Sequence, residues 1–157
     1  MASTPGSTQP PVSTNDTIEL AITYAKERQY DEALHYFHRA TAFTPEALSY
    51  FGLALAMRRQ RLDDALELCR QAIDRDPIRA DLYFNLGQVH LAREDKKLAV
   101  RAFWQGLRVE PSDARLIAAL RQLGVRQRPL IEGLARANPI NRCLGWVRHR
   151  MKKTVSR

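Results

Sequence analysis

Few side chains in this chain of 157 residues have the type and spacing that chemistry requires. His35 and His38 lie one helical turn apart, so a helix would present both imidazoles on one face as two possible metal ligands. No Cys, Asp or Glu at a suitable spacing completes a ligand set, and the two cysteines, Cys69 and Cys143, are far apart. Glycine-rich phosphate loops are also missing from the sequence. We therefore expect a protein that is not an enzyme and that uses no cofactor, metal or small-molecule substrate.

The elements that carry these residues repeat along the chain, beginning with "QYDEALHYFHRATAFTP" at 29–45. The same two, nearly equal intervals separate the members of four sets of equivalent positions: Ala33, Ala65 and Ala99; Phe37, Cys69 and Phe103; Ala40, Ala72 and Gly106; and Pro45, Pro77 and Pro111. A segment with apolar periodicity precedes each stretch, over 18–24, 48–55 and 82–91. Each unit is therefore predicted to be a pair of amphipathic helices, in which small residues allow close packing and an aromatic residue fills the space between helices.

The third unit contains the most specific set of residues: Tyr83, Leu86, Gly87, Ala99, Phe103 and Pro111. They fall on the positions that the tetratricopeptide repeat family reserves for an aromatic, Leu-Gly, Ala, an aromatic and Pro, and the chain resembles that family over roughly residues 14–113. His90 takes the place of an aromatic residue and is expected to be packed. The resemblance implies an all-α fold, a right-handed helical solenoid of three helix-turn-helix repeats. We expect the segment after Pro111 to form a capping helix, and a basic helix to lie near the C-terminus.

The second unit departs from this pattern. The spacing from Gly52 to Ala65 is longer by one position than the spacing from Gly87 to Ala99 in the third unit. Gly52 also follows Pro45 much more closely than Gly87 follows the proline before it. We expect a tightened connection between the first and second units and an altered turn inside the second. The residues of the second unit that face the concave surface are therefore assigned only to within about one position.

The resemblance implies that the first helices of the pairs line a concave surface. The residues predicted to form this partner groove are Ile18, Ile22, Lys26, Leu53, Met57, Phe84, Asn85, Gln88 and Leu91. Such a trough is mostly apolar with little charge, which suits an amphipathic helix or an extended apolar peptide. Two alternatives remain: some of these side chains pack between units, or the tail of this chain fills the trough.

Some members of the family hold the C-terminal carboxylate of heat-shock chaperones with Lys, Asn and Arg. At three of the corresponding positions this chain has Ile18, Ile22 and Asp81, which do not suit a carboxylate. Only Asn85 is compatible with carboxylate binding. We therefore expect no carboxylate clamp of that kind.

The chain is expected to contain three segments. Residues 1–14 are rich in Ser, Thr and Pro, lack the features of a secretory signal, and are predicted to be a disordered leader. The repeats and the capping helix occupy 15–123, and a basic extension occupies 124–157. Because the chain has only two cysteines and no long apolar run, we expect a cytoplasmic location.

The net charge of +8 is concentrated at the C-terminal end, since residues 121–157 hold ten Lys and Arg against one acid, Glu132. Apolar residues at helical spacing in this tail are Ile140, Leu144, Val147 and Met151, and its basic residues include Arg142, Arg148, Arg150, Lys152 and Lys153. An amphipathic basic helix of this kind docks on the repeats, on an anionic membrane surface, or on nucleic acid or an acidic protein.

These observations predict an adaptor or scaffold that binds a peptide or an amphipathic helix of a protein partner in the groove. The alternative is a peripheral factor whose basic C-terminal helix associates with a membrane or with nucleic acid.

Overall fold

The computed structural model describes residues 14–58 and 61–125, and these residues form seven α-helices without a strand. The helices are α1 (Thr14–Lys26), α2 (Tyr30–Phe37), α3 (Pro45–Met57), α4 (Leu62–Arg75), α5 (Ala80–Ala92), α6 (Lys96–Val109) and α7 (Ala114–Gln122). The predicted all-α fold is confirmed. The predicted leader and the predicted basic C-terminal helix lie outside the described residues.

Consecutive helices pack as pairs: α1 with α2, α3 with α4, and α5 with α6. The first helices of the pairs also pack in succession, α1 against α3 and α3 against α5, while α7 packs against α6. This arrangement is a helical solenoid of three pairs closed by one further helix, as the repeated spacing predicts.

Small residues allow the helices of each pair to approach closely. The alanines Ala33, Ala65 and Ala99 are fully buried at equivalent places in the second helices. A Cβ atom added to Gly87 in α5 would overlap the ring of Phe103 in α6. The repeated small residues of the sequence are therefore contact points between helices, because any larger side chain there would force the backbones apart.

The connection between the first and second pairs is longer than the later ones, because seven residues (38–44) separate α2 from α3 while four (76–79 and 110–113) form each later connection. Pro45 is the first residue of α3, and the hydroxyl of Thr44 caps the helix by accepting a hydrogen bond of 3.2 Å from the Ala47 amide. In contrast, α5 begins at Ala80 and α7 at Ala114, each beyond the proline that precedes it. The short interval from Pro45 to Gly52 therefore reflects a helix that starts at its proline, and the tightened connection that the sequence predicts is wrong.

The interval between the two helices of the second pair is longer than in the other two pairs by one position. Helix α3 ends at Met57 and α4 begins at Leu62, so four positions separate them, whereas three positions separate α1 from α2 and α5 from α6. The additional residue explains why the spacing from Gly52 to Ala65 exceeds that of the third unit. A Cβ atom on Gly52 would lie 2.6 Å from the Ala65 carbonyl oxygen, so α3 and α4 still meet at a glycine.

The second helix of the first pair is shorter than the pattern suggests. The repeat would place Ala40 on that helix, but α2 ends at Phe37, and Ala40 lies half-buried beyond it. The Ala40 amide donates to the Phe37 carbonyl at 3.2 Å, which is a tight turn rather than a further α-helical turn.

The last helix covers the end of the solenoid. Leu116 is fully buried, and a Cβ atom on Gly106 would lie 2.7 Å from its Cδ1 atom. Helix α7 follows the cap residue Asp113, whose carboxylate accepts hydrogen bonds from the Arg115 and Leu116 amides at 2.8 and 3.3 Å. The capping helix therefore has a defined start and a buried anchor.

Candidate partner-binding groove

A cavity of about 570 Å³ opens along the first helices of the pairs and α7. We call it the concave groove. Its lining comes from α1 (Ala25, Lys26), from the turn after it (Arg28), from the first residue of α2 (Tyr30), from α3 (Tyr50, Leu53, Met57), from α5 (Phe84, Asn85, Gln88) and from α7 (Arg115, Ala118, Ala119, Gln122). Elements from every pair therefore contribute to one concave surface.

The groove contains six of the nine residues that the sequence assigns to it: Lys26, Leu53, Met57, Phe84, Asn85 and Gln88. The other three lie elsewhere. Ile18 is 5% exposed and belongs to the core, Ile22 packs half-buried against that core, and Leu91 is half-buried outside the lining. Helix α1 thus contributes the residues near its C-terminal end, and Ile18 has no surface to offer a partner.

The floor of the groove is a buried polar contact. The Asn85 side-chain amide donates a hydrogen bond of 3.0 Å to the hydroxyl of Ser49, and the two residues are 1% and 0% exposed. Tyr50 and Leu53 are also buried beside it. The register of α3 is now clear, since Tyr50, Leu53 and Met57 line the groove while Ser49 supports it from below.

The walls of the groove are more basic than the sequence suggests. Among the described residues, the charged side chains of the lining are Lys26, Arg28 and Arg115, all of them cationic. The ammonium group of Lys26 lies 5.4 Å from the centre of the Tyr50 ring, and the guanidinium of Arg115 lies 5.4 Å from that of Phe84. The groove is therefore an aromatic and polar channel with basic walls, not the nearly uncharged trough expected.

Carboxylates hold two of these cations in place. The Lys26 ammonium lies 2.9 Å from a carboxylate oxygen of Glu46, and this hydrogen bond raises the pKa of Lys26. Arg115 pairs with Asp113 at 2.7 Å, and this hydrogen bond raises the pKa of the guanidinium. Both cations are therefore charged and positioned at neutral pH.

A second cavity of about 540 Å³ adjoins the groove and shares Lys26, Tyr50 and Arg115 with it. Here the charges are balanced, because Arg79 lies 3.0 Å from Glu46 and 2.7 Å from Asp81. Among the described residues, the lining of the concave groove holds three cations and no acid, although Glu46 and Asp113 outside the lining pair with Lys26 and Arg115.

The contribution of α7 to the groove was not among the predicted groove residues, but the repeat period of the sequence indicates it. Arg115, Ala118 and Gln122 follow Asp81, Phe84 and Gln88 at the interval by which Pro111 follows Pro77. Helix α7 therefore stands where the first helix of a fourth pair would stand. Extending the repeat period past Pro111 identifies its groove residues.

The cysteine and the two histidines whose types are suited to chemistry lie in a buried position and in exposed positions, respectively. Cys69 is fully buried, and this burial raises the pKa of its thiol to about 12. His35 and His38 are exposed on α2 and the residue after it, where the ring of His38 meets that of Phe51 edge-on. Within residues 14–58 and 61–125, no group of three or more His, Cys, Asp or Glu is placed to hold a metal ion. The helices described there include none with the length and apolar character needed to cross a bilayer.

A family model of the tetratricopeptide repeat matches residues 18–77 and 55–114, which together make up more than half of the chain. The chain belongs to the tetratricopeptide repeat family. Repeats of this family are modules of protein–protein interaction. No curated protein matches the sequence.

Solved structures of tetratricopeptide repeat proteins share the fold. YrrB, described as having an unusual peptide-binding site, is 25% identical with a TM-score of 0.58, over 69% of this chain. The chain spans 57% of the length of YrrB. The first repeat domain of human RPAP3 is 20% identical with a TM-score of 0.60, over 73% of this chain and 92% of that domain. The first repeat domain of Spaghetti, bound to the HSP90 peptide SRMEEVD, is 20% identical with a TM-score of 0.58, over 76% of this chain and 96% of that domain.

Proposed function

We propose that this protein is a cytoplasmic, non-enzymatic adaptor that binds a segment of another protein, a peptide or a helix, in the concave groove. The observation that carries the proposal is a cavity of about 570 Å³ whose lining comes from all three pairs and the last helix. Concave pockets with a few convergent polar groups are the usual form of a binding site. The peptide-binding site of YrrB and the peptide bound to Spaghetti support the same use of this fold.

The lining indicates the chemistry of the bound segment. Lys26, Arg28 and Arg115 favour a segment with carboxylates, because opposite charges across an interface guide association and select the partner. Met57 and Phe84 offer half-buried apolar surface for one apolar side chain. The basic tail of this chain is a poor occupant, since its cations would face those of the groove.

Peptides selected from a random library on the full chain provide the test. We expect them to be enriched in Asp and Glu, and to lose binding in fluorescence polarisation when Gln88→Glu or Phe84→Glu places a carboxylate in the groove, where it repels theirs. Gln105→Glu is the matched control, because Gln105 is exposed on α6 outside the lining. Peptides that bind all three variants like the parent chain would contradict the proposal.

The alternative function uses the basic tail, and the charge of residues 121–157 is the observation that favours it. We propose 124–157 as a separate segment in which Arg142, Arg148, Arg150, Lys152 and Lys153 contact an anionic membrane or nucleic acid. Replacing these five residues by Gln in the full chain should then abolish retention on vesicles containing phosphatidylserine or on RNA. Retention that survives the replacement would count against this alternative.

A further inference from the structure

The outward face of α6 carries a basic stripe. Its members recur at steps of four, three and four positions: Lys97, Arg101, Trp104 and Arg108. The three cations are exposed and Trp104 is half-buried, while the buried residues Ala99, Ala102 and Phe103 lie on the opposite side of the helix. Helix α6 contains no acidic residue at all.

The equivalent face of α4 carries an acidic stripe, one repeat earlier in the chain. Its members are Asp63, Glu67, Arg70 and Asp74, and all four are exposed. Asp63 pairs with Arg93, yet its side chain is still 91% exposed, so this ion pair leaves the carboxylate open to a partner.

The two stripes have the same spacing, and three of their four positions carry opposite charges. Both helices have 14 residues, and each stripe extends for about 16 Å at the rise of an α-helix. Laid side by side in the same direction, three cations of α6 would meet three acids of α4. At the fourth position, the indole of Trp104 would meet the guanidinium of Arg70. The reverse direction would set Arg101 against Arg70.

Among the described residues, no ion pair joins α4 to α6 within one chain. Asp63 pairs with Arg93, and Asp64, which lies outside the stripe, pairs with Arg61. We propose that the basic stripe of one molecule binds the acidic stripe of a second molecule of the same chain. The contact involves none of the residues that line the concave groove, so each associated molecule keeps its groove open.

Two different faces meet in this contact, which makes the association head-to-tail. Such an interface leaves one stripe vacant at each end of a dimer, so the average mass should keep rising with concentration. Exposed ion pairs are weak singly and are screened by salt, so the association should fall steeply between low and high ionic strength.

Sedimentation velocity on the full chain tests the proposal. We expect Arg101→Glu and Glu67→Arg each to weaken association by at least about fivefold, because each places like charges in contact. The double variant should recover the parent behaviour, and so should a mixture of the two single variants, since complementary contacts are then available again. Arg121→Glu is the control for the change in net charge, because Arg121 is exposed on α7 outside both stripes.

A chain that stays monomeric at low ionic strength would overturn the proposal, as would association that neither charge reversal changes. Failure of the mixed variants to associate would do the same. Vesicles containing phosphatidylserine test whether lipid occupies the basic stripe instead. Vesicle binding that is lost in Arg101→Glu and kept in Glu67→Arg, by a chain that does not self-associate, would assign the basic stripe to lipid. That result would contradict the contact proposed here.

Discussion

Asn85 in α5 donates a hydrogen bond of 3.0 Å to Ser49 in α3, and the pair lies completely enclosed beneath the concave groove. The bond links the first helices of two neighbouring repeats at the point where a bound segment would rest. A polar pair of this kind resists separation, because either partner alone would be buried without its hydrogen bond.

Ser49→Ala should therefore lower the free energy of unfolding by about 1–3 kcal/mol, since the Asn85 amide loses its acceptor. Urea unfolding followed by circular dichroism measures the change. The double variant Ser49→Ala with Asn85→Leu is the informative control, and it should be less destabilised than the sum of the single changes. Strict additivity would mean that the hydrogen bond contributes little.

Gly87→Ala tests the close approach of α5 and α6. The added methyl group would overlap the Phe103 ring, so we expect a loss of about 1–3 kcal/mol from overpacking. Thermal unfolding measures the loss, and Phe103→Leu in the same chain should restore part of it by making room. A variant as stable as the parent would show that α5 and α6 separate without cost.

His90 should make stability depend on pH. It is 6% exposed, its Nδ1 atom has no hydrogen-bond partner among the described residues, and burial lowers its pKa from the ordinary value of 6.5. Asp95 opposes this shift, while Arg70 and Arg93 add to it. The unfolded chain binds the proton more readily than the folded one, so stability present above pH 6.5 should be lost as the pH falls below it.

Unfolding in urea at pH 7.5 and at about pH 5 should show this loss, and His90→Phe should abolish it. The carboxylates of Glu46 and Asp113 titrate in a lower range, because hydrogen bonds from Lys26 and Arg115 lower their pKa values despite the opposing effect of burial. A slope that persists unchanged in His90→Phe would assign the effect to another group.

Asp113→Ala should weaken both the end of the solenoid and the groove. The carboxylate caps α7 and pairs with Arg115, so we expect a loss of about 1–2 kcal/mol in the free energy of unfolding. Peptide binding should fall as well, because α7 supplies Arg115 and Gln122 to the lining. Ser112→Ala is the control, since Ser112 is exposed beside the cap. Unchanged stability would show that the cap does not determine the position of α7.

The succession of helices was predictable because the repeated residues are those that close packing between neighbouring helices requires. Alanine at Ala33, Ala65 and Ala99 recurs wherever a second helix meets its partner. The short interval after Pro45 was interpreted as a tightened connection, whereas it results from a helix that starts at the proline itself. The end of α2 was not predictable in this way, because Ala40 matches the repeat pattern and yet lies outside the helix.

The groove was predictable only in part. Burial of Ile18 and Ile22 depends on how α1 is rotated against its neighbours, which a residue pattern does not specify. The basic character of the walls was missed because Arg28 lies in a turn and Arg115 in the last helix, outside the three first helices considered.

The sequence by itself determined the family, the helical pairs and the positions of their contacts, since each depends on residue type at a fixed interval. Only the tertiary structure decided which side chains share one cavity and which charges face each other across it. The physical reason is that these properties depend on the rotation and spacing of whole helices, and residues far apart in the chain establish that arrangement together.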